Sequence, residues 1–286
     1  MNATAGWAWA DDRLRPLADA RIPLLDRGYL LGDGVFETLR ARGGRLLAWP
    51  LHRDRMAHGL AVLGIEASAL ETAAQAAEAV TGRAARDVPV DLYVRVQVAR
   101  CGETGREADP GTVTASARPC PVTPERLRQS GARLRVAAWR RDPGDPLAGV
   151  KPLSYLPHVL ARRAARAAGC DDALVLNTAG RVCESSYGNI VARVNGAWYA
   201  PGPDEGALDG VTRRLLLERA VPRGETVHDR LPVDALEQAE EVLLLSTLAG
   251  VVPVRAIDGV ASALAGGHGR FAARFAAAYE ALLDSA

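Results

Sequence analysis

Of the 35 lysine and arginine side chains in this sequence, one is lysine, Lys151, and the other 34 are arginine. Arginine stays protonated in proteins and does not condense with carbonyls, whereas a deprotonated lysine amine is a nucleophile toward an aldehyde or ketone. A chain that draws its surface cations from arginine yet keeps one amine directs attention to that amine. Codon bias that removed every lysine but one is the competing account. Lys151 follows GDPLAGV and precedes a stretch of helical character, so it is expected at a loop–helix junction, where an amine can project into a cleft.

Three further groups in the second half have types and settings that complement an amine. Glu184 ends the short strand RVCE and opens ESSYGN, leaving a sheet among small polar residues. A carboxylate at a strand end is also an ordinary surface charge. GALDGVTRRLLLE places Gly210, Val211 and Thr212 at a helix start, where free N–H groups and the helix dipole favour an anion; the plain alternative is a helix capped by Asp209. Ser246-Thr247 follows the strand EVLLL in a similar way. From the first half, Arg55 in HRDRM offers a fork-shaped cation. An amine, an acid for a ring nitrogen and donors for a phosphate are together what pyridoxal phosphate (PLP) requires of a protein.

The elements that must position these groups alternate along the chain. IPLLDRGYLLGDGVFETLRA, then RGGR, then LLAW predict a loop leading into a strand, a tight Gly-Gly turn and a returning strand. LHRDRMAHGLAVLGI predicts a helix with Leu51, Met56, Leu60 and Leu63 toward a core and Arg55 near the edge of that face. A second helix follows over ASALETAAQAAEAV. DLYVRVQVAR alternates strictly, with Leu92, Val94, Val96 and Val98 on one face and Tyr93, Arg95 and Gln97 on the other. After the strand TVTASAR, the proline-bearing run near 119–125 reads as a linker between residues 1–120 and 126–286. The second half predicts strands at RLRVAAW, ALVLN, NIVARV, AWYA, ETVHD, EVLLLS and VVPVRAI, and helices at YLPHVLARRAARAAG, VTRRLLLERA, PVDALEQA and the C-terminal GRFAARFAAAYEALL.

Composition narrows the partners. With 48% hydrophobic residues, 24% charged residues and a formal net charge of +1, the chain has no basic excess for nucleic acid or an anionic membrane. No stretch approaches the roughly 18 apolar residues of a membrane span, and the N-terminal residues do not read as a leader, so a cytoplasmic protein is expected. Cys101, Cys120, Cys170 and Cys183 show no CxxC spacing and do not pair with the scattered histidines, so neither a metal site nor a disulfide framework is expected. Gly32-Asp33-Gly34 is not a dinucleotide fingerprint, and no P-loop occurs.

The ordered set DRGYLLGDGVFETLR, HRDR, VKPLSYLPHVLARRAA, DDALVLNTAGRVCESSYGNI, LDGVTR and LSTLAGVVPV resembles the class IV (fold-type IV) aminotransferases and their aminodeoxychorismate lyase relatives, over residues 22 to 255. The resemblance implies a two-domain α/β (α+β) fold, with a small N-terminal α/β domain and a larger C-terminal mixed-sheet domain. It implies PLP between the domains and a homodimer with sites near the subunit interface. By position, Lys151 would form the Schiff base and Glu184 would meet the pyridine nitrogen. Arg55, Val211, Thr212 and Thr247 would hold the phosphate, and Leu208 would pack on the ring. The sequence departs from the family pattern at Ser154, where many members carry asparagine, and at Arg100-Cys101-Gly102, where arginine–glycine is usual.

The resemblance leaves two reactions open. Phe36-Glu37-Thr38 looks like the lyase-type motif, with pyruvate released and 4-aminobenzoate formed. Tyr93-Val94-Arg95 looks like the Tyr-x-Arg that meets a substrate carboxylate in branched-chain aminotransferases, and SYLPHVLA lacks the Asn-Arg common in lyases. Transfer of an amino group between an amino acid and a 2-oxo acid is the favoured expectation, with Phe36, Thr38, Tyr93 and Arg95 facing substrate. A PLP-free binding protein on the same fold is the third reading.

Overall fold

The computed structural model describes residues 6–100, 111–265 and 269–285. Contacts divide the chain into two compact units. The first comprises Met1–Pro121, Val150–Tyr155 and Leu282–Ala286, and the second Val122–Gly149 and Leu156–Ala281. Lys151 therefore groups with the first half of the chain.

The first unit is built on an antiparallel sheet of β1 (Trp7–Ala10), β2 (Arg13–Pro16), β3 (Gly34–Arg42), β4 (Arg45–Leu46), β5 (Leu92–Ala99) and β6 (Thr112–Pro119), in the order β2-β1-β6-β5-β3-β4. Its helices are α1 (Arg27–Leu31), α2 (Trp49–Leu63) and α3 (Ala69–Asp87). The predicted Gly-Gly turn joins β3 to β4 with φ of +58° and +79°, a conformation that matches strand twist and favours glycine at both positions. β5 alternates buried and half-buried residues up to Val98, as its sequence predicts. The hairpin β1–β2 was not foreseen. Its turn is Asp11-Asp12, both at positive φ, and aspartate tolerates that region better than most residues.

Several predicted elements differ: the returning strand LLAW shortens to Arg45–Leu46, with Trp49 opening α2, and ETVHD shortens to Val227–His228. PVDALEQA forms only a 3-10 turn, Asp234–Gln238, because the next strand begins at Ala239 and leaves no length for a helix. In α2 the buried positions are His52, Arg55, Met56, Gly59 and Leu60, so Arg55 lies inside the buried stripe, and Leu51 and Leu63 are only half-buried.

The second unit carries a mixed sheet of β7 (Ala132–Arg141), β8 (Asp172–Asn177), β9 (Val182–Ser185), β10 (Asn189–Val194), β11 (Ala197–Tyr199), β12 (Val227–His228), β13 (Ala239–Ser246) and β14 (Gly250–Asp258). The order is β12-β11-β10-β13-β14-β7-β8-β9, and β9 pairs back onto β10 through Glu184 and Asn189, which closes a ring of strands. β7 runs parallel to both β14 and β8. Parallel neighbours need covered faces, and β8 is buried at all six residues. Helices α4 (Glu125–Gln129), α5 (Leu156–Ala167), α6 (Val211–Ala220) and α7 (Arg270–Asp284) complete the chain. Leu134, Leu174, Ile190, Leu244 and Val252 lie at the centre of this unit's core.

Among the described residues, no helix is long and apolar enough to cross a membrane. Nor does any group of three or more His, Cys, Asp or Glu side chains among them form a candidate metal site. Of the departing run Arg100-Cys101-Gly102, Arg100 bonds Asp33 at 3.2 Å, and Cys101 and Gly102 lie outside the described residues.

Candidate active site

Lys151 is set on the open edge of β3. Phe36 N–H donates to Lys151 C=O at 3.0 Å, Leu153 N–H donates to Gly34 C=O at 2.8 Å, and Val35 faces Pro152 between them. In an antiparallel pair the residue between two such bonds turns its own N–H outward, so a proline there forfeits no ladder bond. Alternation then puts Lys151 on the same face as Phe36. Its Nζ lies 4.6 Å from the Phe36 ring centre and 5.3 Å from that of Tyr155, and the two rings meet edge to face at 5.4 Å.

The β3–β5 register brings the other expected substrate residues onto this face. Thr38 is opposite Arg95, Phe36 opposite Gln97 and Arg40 opposite Tyr93. The Arg95 guanidinium lies 3.7 Å over the Phe36 ring and bonds Gln97 Oε1. Phe36, Thr38, Tyr93, Arg95 and Lys151 thus share one sheet face. The amine and the guanidinium both contact Phe36.

Glu37, one residue on, points to the opposite face, where α2 packs. Arg55 grips it side-on, Nε to Oε1 at 2.8 Å and Nη2 to Oε2 at 2.7 Å, and His52 Nδ1 lies 2.7 Å from Oε2. All three are buried. Burial pushes the Glu37 carboxyl up, but the charges of Arg55 and His52 and their hydrogen bonds outweigh it and hold the carboxyl down at about 2. Burial lowers His52, Glu37 opposes that fall, and the positive charges of Arg55 and Lys151 add to it. Neither Glu37 nor His52 was singled out from sequence as a site residue; the available signal was the i, i+3 spacing of His52 and Arg55 within an otherwise apolar stripe.

In the second unit, Glu184 is buried at the end of β9. The Leu208 N–H donates to Glu184 Oε2 at 3.1 Å, and His158 Nε2 is 3.3 Å from Oε1. Asn189 Nδ2 donates to the Leu208 carbonyl at 2.8 Å, which fixes the loop ahead of α6. That loop ends in Gly210, the N-cap of α6, and no side chain caps it. Asp209 bonds Arg214 at 2.7 Å. A Cβ on Gly210 would fall 1.8 Å from Asn189 Oδ1, so any larger residue there would displace the Asn189 side chain. Val211 and Thr212 begin the helix, and the Thr212 hydroxyl lies 3.3 Å from that of Thr247. Tyr279 of α7 donates its hydroxyl to the Thr247 carbonyl. Glu184 with Leu208, and Thr212 with Thr247, are thus brought together within this unit; His158 is the neighbour the sequence reading missed.

The amino-transferase class IV family profile matches residues 34–257. A putative branched-chain-amino-acid aminotransferase of Methanocaldococcus jannaschii is 34% identical over 245 residues, 84% of each chain. A D-alanine aminotransferase of Bacillus licheniformis is 30% identical over 254 residues, covering 86% of this chain and 87% of the relative. An aminodeoxychorismate lyase of Vibrio harveyi is 29% identical over 250 residues, covering 85% and 89%. Among solved structures, the branched-chain aminotransferase of Thermoproteus uzoniensis with norvaline superposes with a TM-score of 0.84 at 26% identity, covering 98% of this chain and 95% of that one.

Proposed function

Because the chain belongs to the class IV aminotransferase family, we propose that it is a PLP-dependent transaminase that moves an amino group between an amino acid and a 2-oxo acid. The observation that carries this reading is the chain's single lysine, Lys151, placed beside Phe36 on the sheet face that also bears Thr38, Tyr93 and Arg95. The residues present fit the cofactor. α6 starts at a glycine with no side-chain cap, next to two hydroxyls, and a buried carboxylate accepts the Leu208 N–H and lies 3.3 Å from the His158 ring. In this reading Lys151 holds the aldehyde and Glu184 meets the ring nitrogen. Leu208 packs on the ring, and Arg55, Val211, Thr212 and Thr247 hold the phosphate.

PLP supplies an electron sink for charge developing at the substrate α-carbon. Lys151 Nζ would take the proton from that carbon as a general base and, as a general acid, deliver it to the cofactor's aldehyde-derived carbon rather than back to the substrate. Arg95 receives the substrate carboxylate, and Phe36 with Thr38 shapes the side-chain pocket. Aminodeoxychorismate lyase is the second reading, favoured by Phe36-Glu37-Thr38. The likeness of Tyr93-Val94-Arg95 to the branched-chain Tyr-x-Arg supports transamination, and Arg95 lies on Phe36 beside Lys151. The test is a panel of L- and D-amino acids with purified holoenzyme, scored for 2-oxo acid and pyridoxamine phosphate, with aminodeoxychorismate run alongside. Pyruvate and 4-aminobenzoate from the last substrate alone would replace the first reading with the second, and a purified protein that neither carries nor takes up PLP would leave only a binding role.

A homodimer is part of the same reading. Ile22, Leu24, Leu25, Tyr29, Leu30 and Leu31 form a run of exposed apolar side chains, with Leu24 and Leu25 each 78% exposed. A patch of that kind marks an interaction surface.

A further inference from the structure

In α5 the buried positions are His158, Ala161 and Ala165, so an imidazole is the one polar group in a stripe that alanine otherwise fills. Helix packing alone does not call for it. His158 Nε2 is 3.3 Å from Glu184 Oε1, and both residues are more than nine-tenths buried. Trp139 of β7 stands edge-on to the imidazole, at 5.9 Å and 78°, and restricts its orientation. On the other side of the carboxylate, the Leu208 N–H holds Oε2.

One donor on one oxygen leaves a carboxylate free to turn about its last carbon–carbon bond. A second donor on the other oxygen fixes its plane. A hydrogen bond to a ring nitrogen is directional, so the fixed plane decides how well the carboxylate meets that nitrogen. We propose that His158 is a positioning residue for the cofactor: it donates Nε2–H to Glu184 and aims that carboxylate at the pyridine nitrogen. The proposal rests on the reading of Glu184 as the ring-nitrogen partner.

The test uses PLP and its carbocyclic analogue, in which C–H replaces the ring nitrogen, each titrated into the full chain after removal of bound cofactor. Wild type should prefer PLP over the analogue. His158→Leu should narrow that preference by about three- to ten-fold, the loss expected for one hydrogen bond, and leave affinity for the analogue unchanged. His158→Gln, whose side-chain amide can reach the same oxygen, should keep most of the preference. If His158→Leu does not fold, His158→Asn, with its shorter reach, takes its place in the comparison. Equal losses for both ligands, or none for either, overturn the proposal. If Glu184→Gln erases the preference and the His158 variant does not, the role of His158 falls and that of Glu184 stands. If wild type shows no preference, or Glu184→Gln leaves it intact, the ring-nitrogen reading fails and the inference falls with it.

Discussion

Arg55 and Glu37 form a two-point ion pair, at 2.8 and 2.7 Å, inside the contact between α2 and the first sheet. Removing one partner of a buried pair strands the other charge, at a cost of about 3 to 5 kcal/mol. Glu37→Gln and Arg55→Met should each lower stability by that order in chemical denaturation. The double variant Glu37→Leu, Arg55→Met should recover much of the loss, because apolar side chains of similar size need no partner. Additive losses in the double variant would show that the pair is not the source.

Acid should weaken the fold in two stages. His52 is lowered from its usual 6.5, so below that pH the unfolded chain takes a proton that the folded chain resists, and stability falls as pH falls. Glu37 is held at about 2 against a usual 4.5, so its contribution is fully present above 4.5 and is lost as pH drops toward 2. Melting temperature measured from pH 7 to pH 2.5 should decline through both windows. His52→Gln should flatten the upper one, and an unchanged profile in that variant would place the titration elsewhere.

Lys151→Ala should abolish covalent attachment of PLP, since no second amine side chain exists to replace it. Purified wild type should be yellow, and borohydride should fix the cofactor to the peptide containing Lys151. Recovery of the label on any other peptide would remove Lys151 from its proposed role.

Arg55→Ala removes the ion pair and any phosphate contact together, so the phosphate assignment is tested by comparing a ligand that has the phosphate with one that lacks it. A charge-assisted hydrogen bond contributes roughly 1.5 to 3 kcal/mol, which corresponds to about ten- to a hundred-fold weaker PLP binding. Pyridoxal, which lacks the phosphate, should bind the variant and wild type alike. Thr212→Ala should cost less, because the backbone amides at the start of α6 remain. Equal weakening toward both ligands would make Arg55 purely structural.

Leu24→Arg combined with Leu30→Arg should convert a dimer to a monomer in analytical ultracentrifugation, because both positions are exposed apolar side chains of one run. A monomeric wild type, or a doubly substituted dimer, would rule out this surface.

The sequence by itself determined whatever depends on neighbours along the chain. The strict alternation of Leu92–Ala99 specified a strand with one buried face, Gly43-Gly44 specified the hairpin turn, and the count of amines singled out Lys151. The order of motifs pointed to the family. Tertiary structure alone decided which polar groups go inside and whom they meet. Apolar periodicity put Arg55 at the edge of α2, but Arg55 and His52 enter the buried stripe because Glu37, 18 and 15 residues away, supplies the carboxylate that makes their burial tolerable. Val150–Tyr155 joins the first unit because its backbone completes hydrogen bonds on the edge of β3, more than a hundred residues earlier in the chain. His158 meets Glu184 across 26 residues for the same kind of reason. Hydrophobic patterning records how much surface a residue should bury, but it carries no information on the distant partner that lets a charged or polar residue be buried.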